Sequence, residues 1–243
     1  MSNLRSYPRP NVAVDVAVLT AVVPDQRVAG TGHLAVLTLS RAAPPTGPVL
    51  PGRFLREGET VRACVQTTIS EKGGITVEDA EPRLLRVFDA PDRDPRAWTI
   101  TLAHALALPA ARLDSANGAL VPVGEATHSS DEVRALLFDH AEIVREAAAS
   151  IRERYELAPD PDGLLEGPFT LAQLQRLHEA VLGERLQRDT FRRRMSPRLE
   201  AHLDGDGRPT SRTDGGRPAQ LWERAGDKIA PGTVQRRLRL PRA

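Results

Sequence analysis

Two prolines with a single residue between them, in Pro159-Asp-Pro-Asp-Gly163, forbid a regular element through that point of the chain, because each removes a backbone donor and fixes its own φ. A chain of 243 residues broken there builds its structure from two stretches of different texture, with length enough for one large or two small domains. The expected division is a unit over 1–157, a linker over 158–168 and a second unit over 169–243.

The first stretch reads as mixed α/β. Val12, Val14, Val16 and Val18 alternate with smaller or polar residues, the period of a strand. Residues 33–39 read as a second strand, before a loop broken by Pro44, Pro45, Gly47 and Pro48. Residues 83–88 and 98–108 are further strand candidates, and the segment between them, Asp89-Ala-Pro-Asp-Arg-Asp-Pro-Arg96, is too polar and proline-rich to be anything but a loop. One helix is expected over 60–72, closed by Gly73-Gly74. From Ser129-Ser-Asp-Glu132, which resembles a capping box, the residues Val133, Leu136, Leu137, His140, Ile143, Val144, Ala147 and Ile151 share one stripe. A single helix of about six turns is expected there, ending before Pro159.

In the second stretch Thr170-Leu-Ala-Gln173 opens a helix whose stripe is Leu171, Leu174, Leu177 and Val181, stopped by Gly183. Asp189-Thr190 is the expected N-cap of the next helix, which carries Phe191-Arg-Arg-Arg-Met195 and is limited by Pro197. Gly-rich turn residues from 208 onward lead to Ala219-Gln-Leu-Trp-Glu-Arg224, expected as a strand. Helix, turn, helix and a glycine-bearing hairpin are the outline of a winged helix-turn-helix.

Charge divides the chain in a similar place. The net charge is only +1, yet residues 185–243 carry 15 Lys and Arg against 7 Asp and Glu, leaving +8 there and −7 in the remainder. A basic second half suits a polyanionic partner, with a solvated basic tail as the plainer alternative. The one cysteine, Cys64, excludes an internal disulfide and a multi-cysteine zinc site, and reads as a buried inert thiol. No run of about 18 apolar residues occurs and the first ten residues have no apolar signal core, so a cytoplasmic protein without membrane contact is expected. His33, His104, His128, His140, His178 and His202 lack metal-ligand spacing; His140 and His178 are expected to pack or hydrogen-bond on helix faces, and no metal site is expected.

The segment Leu50-Pro-Gly-Arg-Phe-Leu-Arg-Glu-Gly-Glu-Thr60 and the residues after it resemble a Nudix box, G-x5-E-x7-R-E-U-x-E-E-x-G-U. Aligned on Gly58-Glu59 and Gly74-Ile75, Arg53 takes the first glycine's place and Glu59 that of the first glutamate. Ile69, Glu71, Gly74 and Ile75 match, whereas Thr67, Thr68 and Lys72 do not. Phe88-Asp-Ala-Pro-Asp-Arg-Asp-Pro-Arg-Ala-Trp98, Leu137-Phe-Asp-His-Ala-Glu-Ile143, Phe169-Thr-Leu-Ala-Gln-Leu174, His178-Glu-Ala-Val-Leu-Gly183, Phe191-Arg-Arg-Arg194 and Gly216-Arg-Pro-Ala219 then resemble, in order, segments of the Nudix-related transcriptional regulators of NAD metabolism. Ala97 in place of the usual glycine, the eroded box and Pro197 in the recognition region depart from that family. The resemblance implies an α/β N-terminal Nudix-like sandwich, a mixed sheet with flanking helices, followed by a C-terminal winged helix-turn-helix.

It also implies roles. Nudix hydrolases use box glutamates to hold divalent cations; with Thr68 and Lys72 at two of those places, metal-dependent hydrolysis is not expected and no catalytic residue is assigned. Effector contacts fall on Arg53, Phe54, Glu59, Glu71, Lys72, Arg93, Asp94 and Arg96. The Arg93-Asp-Pro-Arg96 loop reads either as a phosphate clamp, since an arginine fork fits phosphate oxygens, or as a turn held by Asp94. Phe54 and Trp98 read as core aromatics, with adenine stacking the alternative. DNA contacts fall on Thr190, Arg192, Arg193 and Arg194 of the recognition helix and on Arg208, Arg212 and Arg217 of the wing.

The implied function is a homodimeric regulator, expected to be a repressor, that binds double-stranded operator DNA. It requires no cofactor and senses ADP-ribose or a related NAD-derived nucleotide. The alternatives are an active hydrolase of ADP-ribose-like nucleoside diphosphates, a regulator answering a sugar phosphate, and an interaction module that senses nothing.

Overall fold

Strand β1 (Asn11–Val22) is the spine of the molecule, because its alternating residues supply both faces of one sheet. A computed structural model describes residues 7–24, 31–76, 81–125, 127–213 and 218–225. On one face Val14, Val16 and Val18 pack with Leu37, Leu106, Cys64, Val65 and Ile69. On the other, Ala17, Leu19 and Ala21 pack with Leu34, Val36 and a row of helix residues that includes Ile143, Val144, Ala147 and Ile151.

Among the described residues the sheet has seven strands. β1 runs parallel to β6 (Thr99–Ala107), in register from Asn11 opposite Thr99 to Leu19 opposite Ala107. It runs antiparallel to β2 (His33–Arg41) and β4 (Gly52–Phe54). β3 (Gly47–Val49) and β7 (Ala119–Pro122) both pair with β2, and β5 (Arg83–Phe88) lies outside β6. Helix α1 (Val61–Thr67) covers one face. Helices α2 (Asp131–Arg134), α3 (His140–Leu157) and α4 (Leu171–Leu182) contribute to the core on the other, giving the expected sandwich.

The 60–72 helix forms, capped by the Thr60 hydroxyl on the Ala63 N–H, but it widens into a π turn over Thr68–Lys72. Gly74 follows at a φ of +69°, where a side chain would also run into Asn117. The single helix expected from 129 is two. α2 is capped by Ser130, whose hydroxyl accepts the Val133 N–H, and the chain then breaks at 135–139 before α3 begins. Tertiary bonds account for the break. The Leu137 N–H donates to the Pro48 carbonyl at 3.0 Å, Phe138 takes a φ of +60°, and Asp139 is gripped by Arg93. Apolar periodicity survives on both sides, and long-range contacts override it between them.

Beyond α3 the apolar core continues through Leu164, Leu174, Leu177, Val181, Phe191 and Met195. α4 has the Thr170/Gln173 capping box and ends on Gly183 in the left-handed conformation. α5 (Arg188–Met195) is capped by the Gln187 side chain, which accepts the Thr190 N–H at 2.7 Å, two residues ahead of the expected Asp189-Thr190 cap. Asp189 instead lies in the first turn, where a carboxylate suits the helix dipole. Pro197 follows in a 3-10 turn. The segment expected as one strand over 219–224 is two, β10 (Ala219–Gln220) paired with β9 (Ser211–Arg212), and β11 (Trp222–Arg224) paired with β8 (Leu199–Ala201). No helix among the described residues is long and apolar enough to cross a membrane.

Candidate functional site

A cavity of about 290 Å³ opens where β1, β4, the π turn, the 93–96 loop and the start of α3 converge. β1 delivers Ala13 and Asp15, β4 delivers Gly52, Arg53 and Phe54, and the π turn delivers Lys72. Arg93, Asp94, Arg96, Phe138 and His140 complete the wall, with Arg41 at the end of β2. Six of the eight expected effector residues, Arg53, Phe54, Lys72, Arg93, Asp94 and Arg96, therefore share one cavity. Glu59 and Glu71 are not on its wall.

The floor is a charged network. Arg93, with its side chain 4% exposed, donates twice to Asp139 at 2.8 and 2.7 Å and once to Asp15 at 3.2 Å. Burial alone would lower the Arg93 pKa, but the Asp139 and Asp15 carboxylates raise it above its ordinary value. Burial likewise works against an ionised Asp15, and the adjoining His140 and Arg93 more than offset it, holding the carboxyl below the usual range. His140 accepts the Leu50 N–H on Nδ1 at 2.9 Å, which leaves the ring proton on Nε2, facing Asp15 Oδ1 at 3.5 Å. Asp15 also fixes the identity of Gly52, since a Cβ there would collide with Oδ1.

Nearer the mouth the cations are partly neutralised. Arg96 forms a two-point pair with Asp94 at 2.8 and 2.6 Å, and Asp94 also accepts the Arg96 N–H at 3.0 Å, so this loop is at once a carboxylate-held turn and a cavity wall. The Arg96 guanidinium, by its side-chain bonds, keeps the Asp94 pKa low. Arg53 pairs with Glu59 at 2.5 Å, and Glu59 takes the Arg56 N–H, the leading cause of its own lowered pKa. Arg41 donates to the Pro44 and Pro45 carbonyls, and the Lys72 ammonium has no hydrogen-bond or ion-pair partner among the described residues.

Phe54 is 43% exposed on the cavity wall and Trp98 is 51% exposed, so neither is a core aromatic. Chain reversal explains this: Phe54 ends a three-residue strand, and Trp98 precedes β6 on a polar loop. Sequence reasoning did not assign Asp15, Arg41 or Phe138 to the site. Asp15 carried a signal, a lone carboxylate in a run of valines, because a buried charge must be paired.

The donor set does not fit a catalytic divalent cation. Thr68 is buried and donates its hydroxyl to the Cys64 carbonyl at 2.7 Å, Glu59 is engaged by Arg53, and Glu71 stands off the cavity. Among the described residues no three His, Cys, Asp or Glu side chains converge as ligands. Cys64 is buried, and burial raises its thiol pKa.

The second surface lies on α5 and the hairpin. Phe191 and Met195 are buried and anchor α5, which turns Arg192 and Arg193 to solvent and leaves Thr190 and Arg194 half-buried. Arg208 and Arg212 are exposed, the first in a turn whose N–H groups Asp204 accepts, the second on β9. Arg217 and the basic run 236–239 lie outside the described residues.

Residues 163–223 match the family model described as the NrtR DNA-binding winged helix domain. Over 227 residues, 89% of this chain and 82% of the relative, the sequence is 30% identical to a protein from Acinetobacter baylyi named ADPR responsive transcriptional repressor NtrR. Among solved structures the chain is similar to Shewanella oneidensis NrtR complexed with a 27mer DNA, with 25% identity, a TM-score of 0.66 and coverage of 88% of this chain and 93% of that one. Its fold is also that of a MutT/nudix family protein from Enterococcus faecalis, with 20% identity, a TM-score of 0.66 and coverage of 92% and 89%.

Proposed function

Because this chain belongs to the NrtR family of Nudix-related transcriptional regulators, we propose that it is a repressor that binds operator DNA through residues 169–243 and senses ADP-ribose, or a related NAD-derived nucleotide, through residues 1–157. The observation that carries this reading is one chain holding both a cation-walled cavity in a Nudix sandwich and a winged helix with solvent-facing arginines. The Acinetobacter relative's response to ADPR supports the choice of effector.

In this reading Lys72, Arg41 and the half-neutralised Arg53 and Arg96 meet the diphosphate, while Phe54 offers a ring face at the mouth. Arginine forks and an ammonium supply charge-assisted bonds to phosphate oxygens. Arg93, paired with two carboxylates, shapes the cavity from below. On DNA, Arg192, Arg193 and Arg194 with Thr190 enter or flank the major groove, and Arg208, Arg212 and Arg217 reach the backbone beside it. The protein acts as a cytoplasmic homodimer on a two-fold operator. The sensor is not an enzyme in this reading, since Thr68 and Lys72 stand where a Nudix box has glutamates and Glu59 is engaged by Arg53.

Control of DNA binding is a coupling free energy. The effector must favour the DNA-incompetent form by about 1.4 kcal/mol for each tenfold loss of operator affinity. Calorimetry with ADP-ribose, followed by incubation with magnesium and product analysis, tests the sensor. Saturable binding with the nucleotide recovered intact is expected. Stoichiometric turnover would establish a hydrolase, and no heat with ADP-ribose but binding of a sugar phosphate would reassign the effector.

A further inference from the structure

Asp160 lies completely buried between the two halves of the molecule, at a φ of +43°. Aspartate tolerates that conformation better than most residues because its short carboxylate bonds nearby backbone. Here Oδ1 accepts the Tyr155 hydroxyl at 2.7 Å and the Leu164 N–H at 2.8 Å, and Oδ2 accepts the Leu165 N–H at 3.0 Å. The cation that balances this carboxylate is Arg224, which donates to Oδ2 at 2.6 Å and to the Leu165 carbonyl at 3.1 Å. Arg224 is the last residue of β11, the strand that closes the wing.

Further contacts at this point also join the two halves. The Asp160 N–H points to His178 Nε2 of α4 at 3.4 Å, and the buried His178 ring meets Tyr155 and Phe191 edge-on at 4.9 and 5.2 Å. Phe191 is the anchor of α5. Arg198, just after α5, caps the Leu157 carbonyl at the end of α3. Thus two arginines and one aromatic from the winged helix are seated on the last turn of α3 and the residues that follow it.

The opposite end of the same helix is in the effector cavity. Asp139 is the N-cap of α3 and holds Arg93, and His140 is its first residue and lines the wall. Eighteen residues without interruption make a strut of about 27 Å between the two places.

We propose that Asp160 and Arg224 form the positioning contact that fixes the wing and recognition helix on α3 in the DNA-competent arrangement, and that α3 carries movement at the cavity to this contact. Neither residue touches DNA or effector in this account. The inference rests on the regulator reading above for its consequence, and on the local geometry alone for its mechanism. A buried carboxylate that loses its cation is left with an uncompensated charge, so the contact is costly to break.

The test compares the full-length wild type with Arg224→Gln and Arg224→Lys. Three measurements are made: hydrogen exchange at the Leu164 and Leu165 amides, calorimetric affinity for ADP-ribose, and affinity for DNA from upstream of the protein's own gene over a salt series. Arg224→Gln is expected to speed exchange at both amides at least tenfold and to weaken DNA binding about tenfold. Affinity for ADP-ribose is expected to rise, because the effector favours the form that this variant populates, while the slope of log K against log salt stays at the wild-type value; Arg224→Lys returns exchange and DNA affinity most of the way to wild type.

A slope shallower by about 0.9 would mean that Arg224 touches a phosphate, and would overturn the proposal. So would unchanged exchange at Leu164 and Leu165, or unchanged DNA affinity with exchange accelerated. If the wild type binds no DNA, the regulator reading fails. The exchange data, repeated with saturating ADP-ribose, then decide whether the cavity is coupled to this contact: faster exchange in the wild type supports it, and an unchanged rate overturns it.

Discussion

The Arg93 guanidinium and the Asp139 carboxylate face each other in a two-point pair, and the second bond of that pair shares its nitrogen with Asp15. A loop arginine thereby ties the N-cap of α3 to the central strand. Nε and one terminal nitrogen of its fork are engaged in doing so, which makes Arg93 a tie between strand and helix in the wall of a binding site.

Replacing it should therefore show first in stability. Arg93→Met leaves two largely buried carboxylates without their cation, and a loss of about 3–5 kcal/mol is expected. Urea unfolding at neutral pH measures it. A variant of full stability that has only lost ADP-ribose binding would mean that Arg93 is a ligand contact.

Gly52 should behave in the opposite manner. A methyl group there meets Asp15 Oδ1 directly and comes within 3.3 Å of the Val14 carbonyl. Gly52→Ala is expected to push Asp15 away from His140 and Arg93, and to cut ADP-ribose affinity at least tenfold. Calorimetry on the folded variant checks this, and wild-type affinity would show that the Asp15 cluster does not shape the cavity.

His178 gives a dependence on pH. Burial lowers its pKa from the ordinary 6.5 to about 3, so between those values the unfolded chain binds a proton that the folded chain does not. Stability from this residue is present above pH 6.5 and is lost as pH falls. The loss is about 1.4 kcal/mol per unit, or about 2–3 kcal/mol between pH 6.5 and 4.5. Unfolding midpoints of His178→Gln, compared with wild type over that range, should show the shallower slope, by about one proton. Equal slopes would place a charged imidazole in the folded core.

On the recognition helix, Arg192 and Arg193 are exposed and Phe191 is buried. Arg192→Ala and Arg193→Ala should leave the melting temperature unchanged. Each should weaken DNA binding, and the one on a phosphate should also lower the salt slope by about 0.9. Phe191→Ala should instead cost about 3–5 kcal/mol of stability. Operator titrations at several salt concentrations separate the two classes.

The sheet was legible because β1 writes its two faces as alternate residues, and the α4 cap because Thr170 and Gln173 satisfy each other locally. The break at 135–139 was not, since what ends the helix there is the Pro48 carbonyl and Arg93, distant in sequence. The same holds for the cavity. The motif residues Arg53, Lys72, Arg93 and Arg96 could be named, but not that Arg93 spends its donors on Asp139 and Asp15, or that Glu59 is held by Arg53. Asp160 stood in a segment whose composition suggests only a linker. Its four hydrogen-bond donors come from α3, from the segment itself and from the wing, and only the folded chain brings them together.

The account stands or falls on DNA binding at fixed salt, measured with and without ADP-ribose, using the full-length protein and duplex DNA from upstream of its own gene and neighbouring operons. Salt must be held constant because phosphate contacts dominate the affinity. The account predicts saturable, sequence-specific binding that ADP-ribose weakens at least tenfold. Specific binding indifferent to ADP-ribose would contradict the sensor, and the absence of any specific binding would contradict the regulator.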